Sequence, residues 1–183
     1  EAYNSGQLKF GENRVQEIVD KQSKLPDDIE WHMIGHLQKN KVKYIAGFIN
    51  LIHSLDRLSL AKEIDRQAKK EDRIIDCLIQ IKISKEDSKF GLKIEDFTDF
   101  YKSLETFENL NIIGLMGMAS FTSDIEVIDG EFKMIKRVYD NAASINPKFR
   151  VLSIGMSDDY NIAIKNGSNM IRVGSKIFGK RNY

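Results

Sequence analysis

The sequence predicts an α/β protein, a (β/α)8 TIM barrel with the first strand and most of the first helix missing from its 183 residues. Three observations predict it. Short apolar runs rich in Ile, Val and Phe alternate with longer amphipathic segments. Several runs are apolar on consecutive residues, the pattern of parallel strands covered on both faces. Polar and glycine residues gather just after the runs, where such a barrel binds its ligand: Gly11-Glu12-Asn13, Gly35-His36, Ser54, Ser120, Gly155-Met156-Ser157 and Gly174-Ser175. An open doubly wound sheet would want a G-x-G-x-x-G turn after its first strand, and none is present.

In chain order, Glu1 to Gly6 reads as the last turn of a helix ending at a glycine cap. Strands are expected at Leu8–Phe10, Trp31–Ile34, Phe48–His53, Ile74–Ile83, Leu110–Met118, Phe149–Ile154 and Asn169–Val173. Between them, Leu60-Ile64-Ala68 and Ile128-Phe132-Ile135-Val138-Ala142 place apolar residues three and four apart, on one face of a helix each. Asp56 and Asp158 stand where N-caps are wanted, and Gly167 where a helix should stop. Seven strands cannot close an eight-stranded barrel without leaving two unpaired edges. A strand and most of a helix, roughly 30 residues at the unit size of such barrels, are therefore expected before residue 1. The whole of residues 1–183 is read as a single, N-terminally incomplete domain.

Composition narrows the function. Charged residues make up 30% of the chain with a formal net charge of +1, and the lysines sit among Asp and Glu. No basic stripe for nucleic acid results. No apolar stretch approaches the roughly 20 residues of a membrane span, and no signal-peptide pattern opens the chain. The single Cys77, within an apolar run, fits a buried small side chain in a reducing compartment, so a cytoplasmic protein is expected. His32 and His36 are four apart, but Gly35 breaks helical geometry between them, and no metal site is expected. No Ser-His-Asp spacing or P-loop is readable.

The chemistry concentrates in Val151-Leu-Ser-Ile-Gly-Met-Ser157-Asp-Asp and Met170-Ile-Arg172-Val-Gly174-Ser175-Lys-Ile-Phe-Gly179. One strand should end at Gly155 and expose Ser157; the next should end at Arg172, with Gly174 opening a helical turn. Glycine permits close approach of backbone to an anion, and a helix N-terminus presents unpaired N–H donors worth roughly 1–2 kcal/mol to a phosphate. The plainer alternative is that the glycines only turn the chain and Arg172 pairs with a structural carboxylate.

These two segments resemble the C-terminal signature of the pyridoxal phosphate homeostasis family, whose barrel is similar to the N-terminal domain of bacterial alanine racemase. Further stretches resemble the family in the same order: Phe10-Gly-Glu-Asn13-Arg-Val-Gln-Glu17, Trp31-His-Met-Ile-Gly35-His-Leu-Gln38-Lys-Asn-Lys41, His53-Ser-Leu-Asp-Arg57, Gln80-Ile-Lys-Ile-Ser84 with Lys89-Phe-Gly91, and Gly114-Leu-Met116. The resemblance implies pyridoxal 5′-phosphate (PLP) as cofactor. It implies that Ser157, Gly174 and Ser175 hold the phosphate while Arg172 faces the pyridine nitrogen. Asn13 would reach the ring hydroxyl or Schiff base, unless it caps the following helix; Met156 and Met116 would pack near the ring, unless they are core residues. The family's Schiff-base lysine belongs to the first strand, before residue 1, and Lys9 reads as a solvated side chain. No catalytic residue is therefore assigned.

The resemblance implies a non-catalytic PLP-binding protein of intracellular PLP homeostasis, a monomer or weak dimer, with PLP-dependent apoenzymes as possible partners. The alternatives are a fold-type III enzyme such as an amino-acid racemase, or a barrel enzyme for another phosphorylated metabolite. Racemisation needs a second acid–base group from an added domain, and the closing Phe178 to Tyr183 resembles the family's natural end.

Overall fold

Each of the seven predicted apolar runs forms a strand, and the strands follow one another in the sheet in chain order. The computed structural model describes residues 1–86 and 89–179. The strands are β1 (Lys9–Glu12), β2 (Glu30–Met33), β3 (Leu51–Leu55), β4 (Ile75–Ile81), β5 (Leu110–Gly117), β6 (Val151–Met156) and β7 (Met170–Arg172). The sheet order is β1-β2-β3-β4-β5-β6-β7. The registers of β1 with β2, β2 with β3, β5 with β6 and β6 with β7 are parallel. A doubly wound sheet reverses its strand order at a switch point, and this order has no reversal. The topology is that of the (β/α)8 barrel class.

The chain divides into two compact units. The first comprises residues 1–78 and 98–112. It opens with a short turn of 3-10 helix, Tyr3–Ser5, ended by Gly6 in the left-handed conformation, as the sequence predicts. Helix α1 (Val15–Gln22) buries Val15 and Ile18, and helix α2 (Leu58–Lys70) buries Leu60, Ala61, Ile64, Gln67 and Ala68. All five residues of β3 are buried, which is why its sequence does not alternate. Phe48 to Asn50 precede the strand instead of belonging to it: Phe48 and Ile49 donate to Ile45 O, closing a turn. Arg73 fastens this turn, donating to Ala46 O at 2.6 Å and Ile49 O at 2.8 Å. Asp65 does the same for the 98–112 segment, accepting from the backbone N–H and side-chain amide of Asn109.

The second unit comprises residues 79–97 and 113–183, and its described part holds helix α4 (Ile125–Ile145), helix α5 (Tyr160–Lys165) and the single turn α6 (Ser175–Phe178). Helix α3 (Phe97–Leu104) begins at its edge. In α4, Ile128, Phe132, Ile135 and Ala142 are buried, the predicted apolar face apart from half-buried Val138. Each large apolar side chain so buried stabilises the fold by about 1.5–3 kcal/mol. Asp124 caps α4 through hydrogen bonds from Glu126 N and Val127 N, a contribution of about 1 kcal/mol.

The two aspartates expected to cap helices do not. The N-cap of α2 is Arg57, and the Asp56 carboxylate is engaged by the Arg57 guanidinium at 2.5 Å. The N-cap of α5 is Asp159, one residue beyond Asp158, and its carboxylate turns back to accept from Met156 N at 2.5 Å. In both places a short acidic side chain found a better donor than the helix terminus. Gly167 does close α5, in the left-handed region at φ +82°.

Candidate functional site

Strand β6 runs one residue further than the sequence suggests, to Met156, because Gly155 interrupts the ladder without ending it. Gly155 has φ +95°, and the register between β6 and β7 shifts between Ser153 and Met156. A Cβ on Gly155 would lie 2.5 Å from Ala163 Cβ and 3.0 Å from Tyr160 Cα. Only glycine satisfies both the dihedral and the contact. The kink turns the strand end into the turn that presents Ser157. Asp159 closes that turn through its bond to Met156 N, and Ser157 and Asp159 are both buried.

Ser157 meets the turn after β7. Its Oγ accepts from Gly174 N at 3.2 Å and from Lys176 N at 3.5 Å. The two segments that carry the sequence signature thus converge through their own atoms. Ser175, at the first position of α6, is exposed, and its N–H and hydroxyl have no partner among the described residues. A Cβ built on Gly174 meets nothing within 4 Å, so the backbone there faces open space. With four residues α6 has little macrodipole; the expected dipole stabilisation gives way to individual N–H and O–H donors at short range. Lys176 adds a cation nearby, its Nζ 4.6 Å from the centroid of the Tyr160 ring.

Arg172, at the end of β7, is half-buried with its guanidinium enclosed. Nη1 donates to Ser153 O at 2.8 Å and Ser153 Oγ at 2.7 Å, and Nη2 donates to Gly117 O at 2.9 Å. Among the described residues no carboxylate pairs with it, unlike the plainer sequence reading. Burial pulls its pKa down to about 10, with the charge of Asp159 acting in the opposite direction. The group stays protonated at neutral pH. Among the described residues its hydrogen-bond acceptors are all neutral and take three of its five N–H donors, which leaves donors for an acceptor or anion supplied from outside. Met156, half-buried, sits opposite Arg172 in the β6–β7 register. Met116 is fully buried in β5 and is a core residue.

Asn13 lies in the first unit, just beyond β1. It is exposed and does not cap α1, whose N-cap is Arg14 with no side-chain bond to the helix amides. The close approach of Gly35, where a Cβ would fall 2.3 Å from Asn13 O, fixes the Asn13 backbone. Asn13 lines a cavity of about 260 Å³ together with Arg14, Met33, His36, Gln38 and Lys41. His36 Nδ1 is 3.8 Å from the Asp56 carboxylate. Lys9 is exposed, 3.8 Å from Glu30.

Sequence reasoning missed three features. Ser153 and the Gly117 carbonyl, which hold Arg172, come from neighbouring strands, and only the period-2 alternation of β6, placing Ser153 two residues before Gly155, hints at the first. Asp159 closes the Ser157 turn, where a local Asx bond was the available signal. His32 and His53 form a buried pair with Nδ1 and Nε2 3.2 Å apart and rings tilted by 44°. Burial, aided by the charge of Lys9, depresses the His32 pKa to about 4. Cys77 is buried, and burial pushes its thiol pKa up, so it is no nucleophile. Among the described residues no three His, Cys, Asp or Glu side chains converge, and no helix is long and apolar enough to cross a membrane.

Comparison with known proteins places this geometry. Residues 1–182 match the family described as alanine racemase, N-terminal domain. The pyridoxal phosphate homeostasis protein of Aquifex aeolicus is 38% identical over 185 residues, covering 100% of this chain and 81% of that protein. The Escherichia coli K12 protein of the same name is 36% identical over 190 residues, covering 100% of this chain and 80% of its own length. PipY of Synechococcus elongatus, solved without PLP, has a TM-score of 0.90 and 34% identity over 97% of this chain and 85% of its own. Its structure with PLP bound has a TM-score of 0.86 and 33% identity over 97% and 84%. Alanine racemase from Clostridium difficile 630 shares the fold alone, with a TM-score of 0.78 at 15% identity over 99% of this chain and 46% of its own. The chain belongs to the pyridoxal phosphate homeostasis protein family and has that family's (β/α)8 barrel fold, the fold of the alanine racemase N-terminal domain.

Proposed function

We propose that this protein binds PLP and serves intracellular PLP homeostasis without turning over a substrate, in the cytoplasm, with residues 1–183 acting as one binding domain. Support comes from the relatives that carry that name and from the PLP-bound structure of PipY. The single observation that carries it is the guanidinium of Arg172, buried against neutral acceptors within the same unit as the Ser157–Gly174 junction.

In this reading the phosphate accepts from the Ser175 amide and hydroxyl and from the Ser157 hydroxyl, whose oxygen accepts in turn from the Gly174 and Lys176 amides. Gly174 leaves room for the phosphate because nothing stands within 4 Å of its missing side chain. Arg172 donates to the pyridine nitrogen, while Met156 packs beside the ring. When bound, the cofactor supplies an aldehyde and a ring able to delocalise negative charge. Arginine only donates and stays charged, so a nitrogen facing Arg172 must accept and remain unprotonated. That arrangement weakens the ring as an electron sink, which suits holding and releasing the vitamer to PLP-dependent apoenzymes.

The test is retention. The protein, incubated with PLP and passed through gel filtration, should carry about one equivalent of cofactor and leave L-alanine unracemised. Preferential uptake of another sugar phosphate would overturn the cofactor assignment, and steady formation of D-alanine would overturn the non-catalytic one.

A further inference from the structure

The hydroxyl of Ser153 stands apart from the phosphate turn, yet it makes the shortest contact to Arg172, 2.7 Å from Nη1. Ser153 is fully buried in the middle of β6. Its backbone carbonyl accepts from the same Nη1, and the Gly117 carbonyl at the end of β5 accepts from Nη2. Three acceptors from two strands therefore fix the plane of a guanidinium that originates on a third. The register shift at Gly155 makes the reach possible: Met156 sits opposite Arg172, while Ser153 is already paired with Met170. Arginine brings large rotamer freedom, and a planar donor fork is useful only when its orientation is set in advance.

We propose that Ser153 is a positioning residue, whose Oγ locks the Arg172 guanidinium so that its unspent N–H groups point at the heterocyclic nitrogen of the bound vitamer. The proposal rests on the assignment of Arg172 to that nitrogen. The carbonyls of Ser153 and Gly117 are backbone atoms that any side chain would leave in place; Oγ is the one acceptor of the three that this sequence position chooses. Loss of Oγ leaves Nη1 with one acceptor and frees the guanidinium plane to swing about Cδ–Nε and the side-chain torsions before it. Its donors then spread over several directions.

The experiment compares wild type, Ser153→Ala, Ser153→Cys and Arg172→Ala, each loaded with 15N-ring-labelled PLP. Cysteine keeps the shape of serine but is a weak acceptor, so it separates hydrogen bonding from packing if the alanine variant folds poorly. The expected wild-type signal is that of an unprotonated, hydrogen-bonded ring nitrogen. In Ser153→Ala and Ser153→Cys the 15N resonance should move away from that value, and PLP affinity should fall about tenfold. The 31P resonance of the bound phosphate should stay in place, because the Ser157–Gly174 turn is untouched. An unchanged 15N resonance and affinity in both Ser153 variants, with Arg172→Ala shifting them, would overturn the positioning role alone. An unchanged resonance in Arg172→Ala as well would overturn the assignment of Arg172 beneath it.

Discussion

Ser157 Oγ accepts a hydrogen bond from the Gly174 amide at 3.2 Å, joining the turn after β6 to the turn after β7. Seventeen residues of sequence separate them, and the join leaves the donors of Ser175 facing outward. Gly174 has φ −120°, outside the left-handed region, and open space where a side chain would be. Gly174→Ala should therefore change stability by less than about 0.5 kcal/mol, because no neighbour is displaced. The added methyl would occupy the space assigned to the phosphate, and PLP affinity should drop about tenfold or more. Thermal unfolding and a fluorescence titration of the variant check the two halves. A loss of stability with intact affinity would make Gly174 a structural residue only.

Gly155 gives the opposite expectation. Its φ of +95° and the 2.5 Å approach of Ala163 Cβ leave no room for a side chain. Gly155→Ala should cost about 3 kcal/mol through backbone strain and overpacking. Urea unfolding measures this directly, and a cost below that of an ordinary surface substitution would contradict the assigned kink.

The buried histidine pair predicts a pH dependence. His32 is depressed in the folded protein to about 4 from an ordinary value of 6.5, so it folds neutral. The unfolded chain binds a proton at His32 between those values and the folded chain does not. Stability is thus fully present above the unfolded pKa and falls as pH drops from about 6.5 towards 4, by about 3 kcal/mol for this group at the low end. Carboxylates also titrate in this window, so the comparison is with His32→Gln, whose unfolding free energy should fall less steeply between pH 7 and pH 4. Parallel curves for the two proteins would show that His32 is not held neutral by burial.

The strands were legible because strands covered on both faces leave continuous apolar runs. That signal survives without knowledge of partners: Ile74–Ile83 contains β4 whole, whereas Phe48–His53 begins three residues ahead of β3 because apolar Phe48 and Ile49 belong to the turn before it. Glycine positions such as Gly6 and Gly167 were legible because few other residues tolerate their dihedrals. Caps were less so. Asp56 and Asp158 had the chemistry of N-caps, but Arg57 engaged the first and Asp159 displaced the second, contests settled by geometry absent from the linear pattern. Ser157, Gly174 and Arg172 stood out as a motif, whereas what holds Arg172 did not. Ser153 and Gly117 lie 19 and 55 residues away, and such a clamp depends on register between strands. The same reason hid the His32–His53 pair, whose side chains meet across β2 and β3.

The most direct test of the phosphate-centred account compares the dissociation constants of PLP and of pyridoxal, which lacks the phosphate, for the same preparation of the protein. The account predicts PLP binding about a hundredfold tighter, since two or more hydrogen bonds to a charged group depend on the phosphate, with inorganic phosphate competing against PLP. Equal affinity for the two vitamers, indifferent to added phosphate, would contradict it.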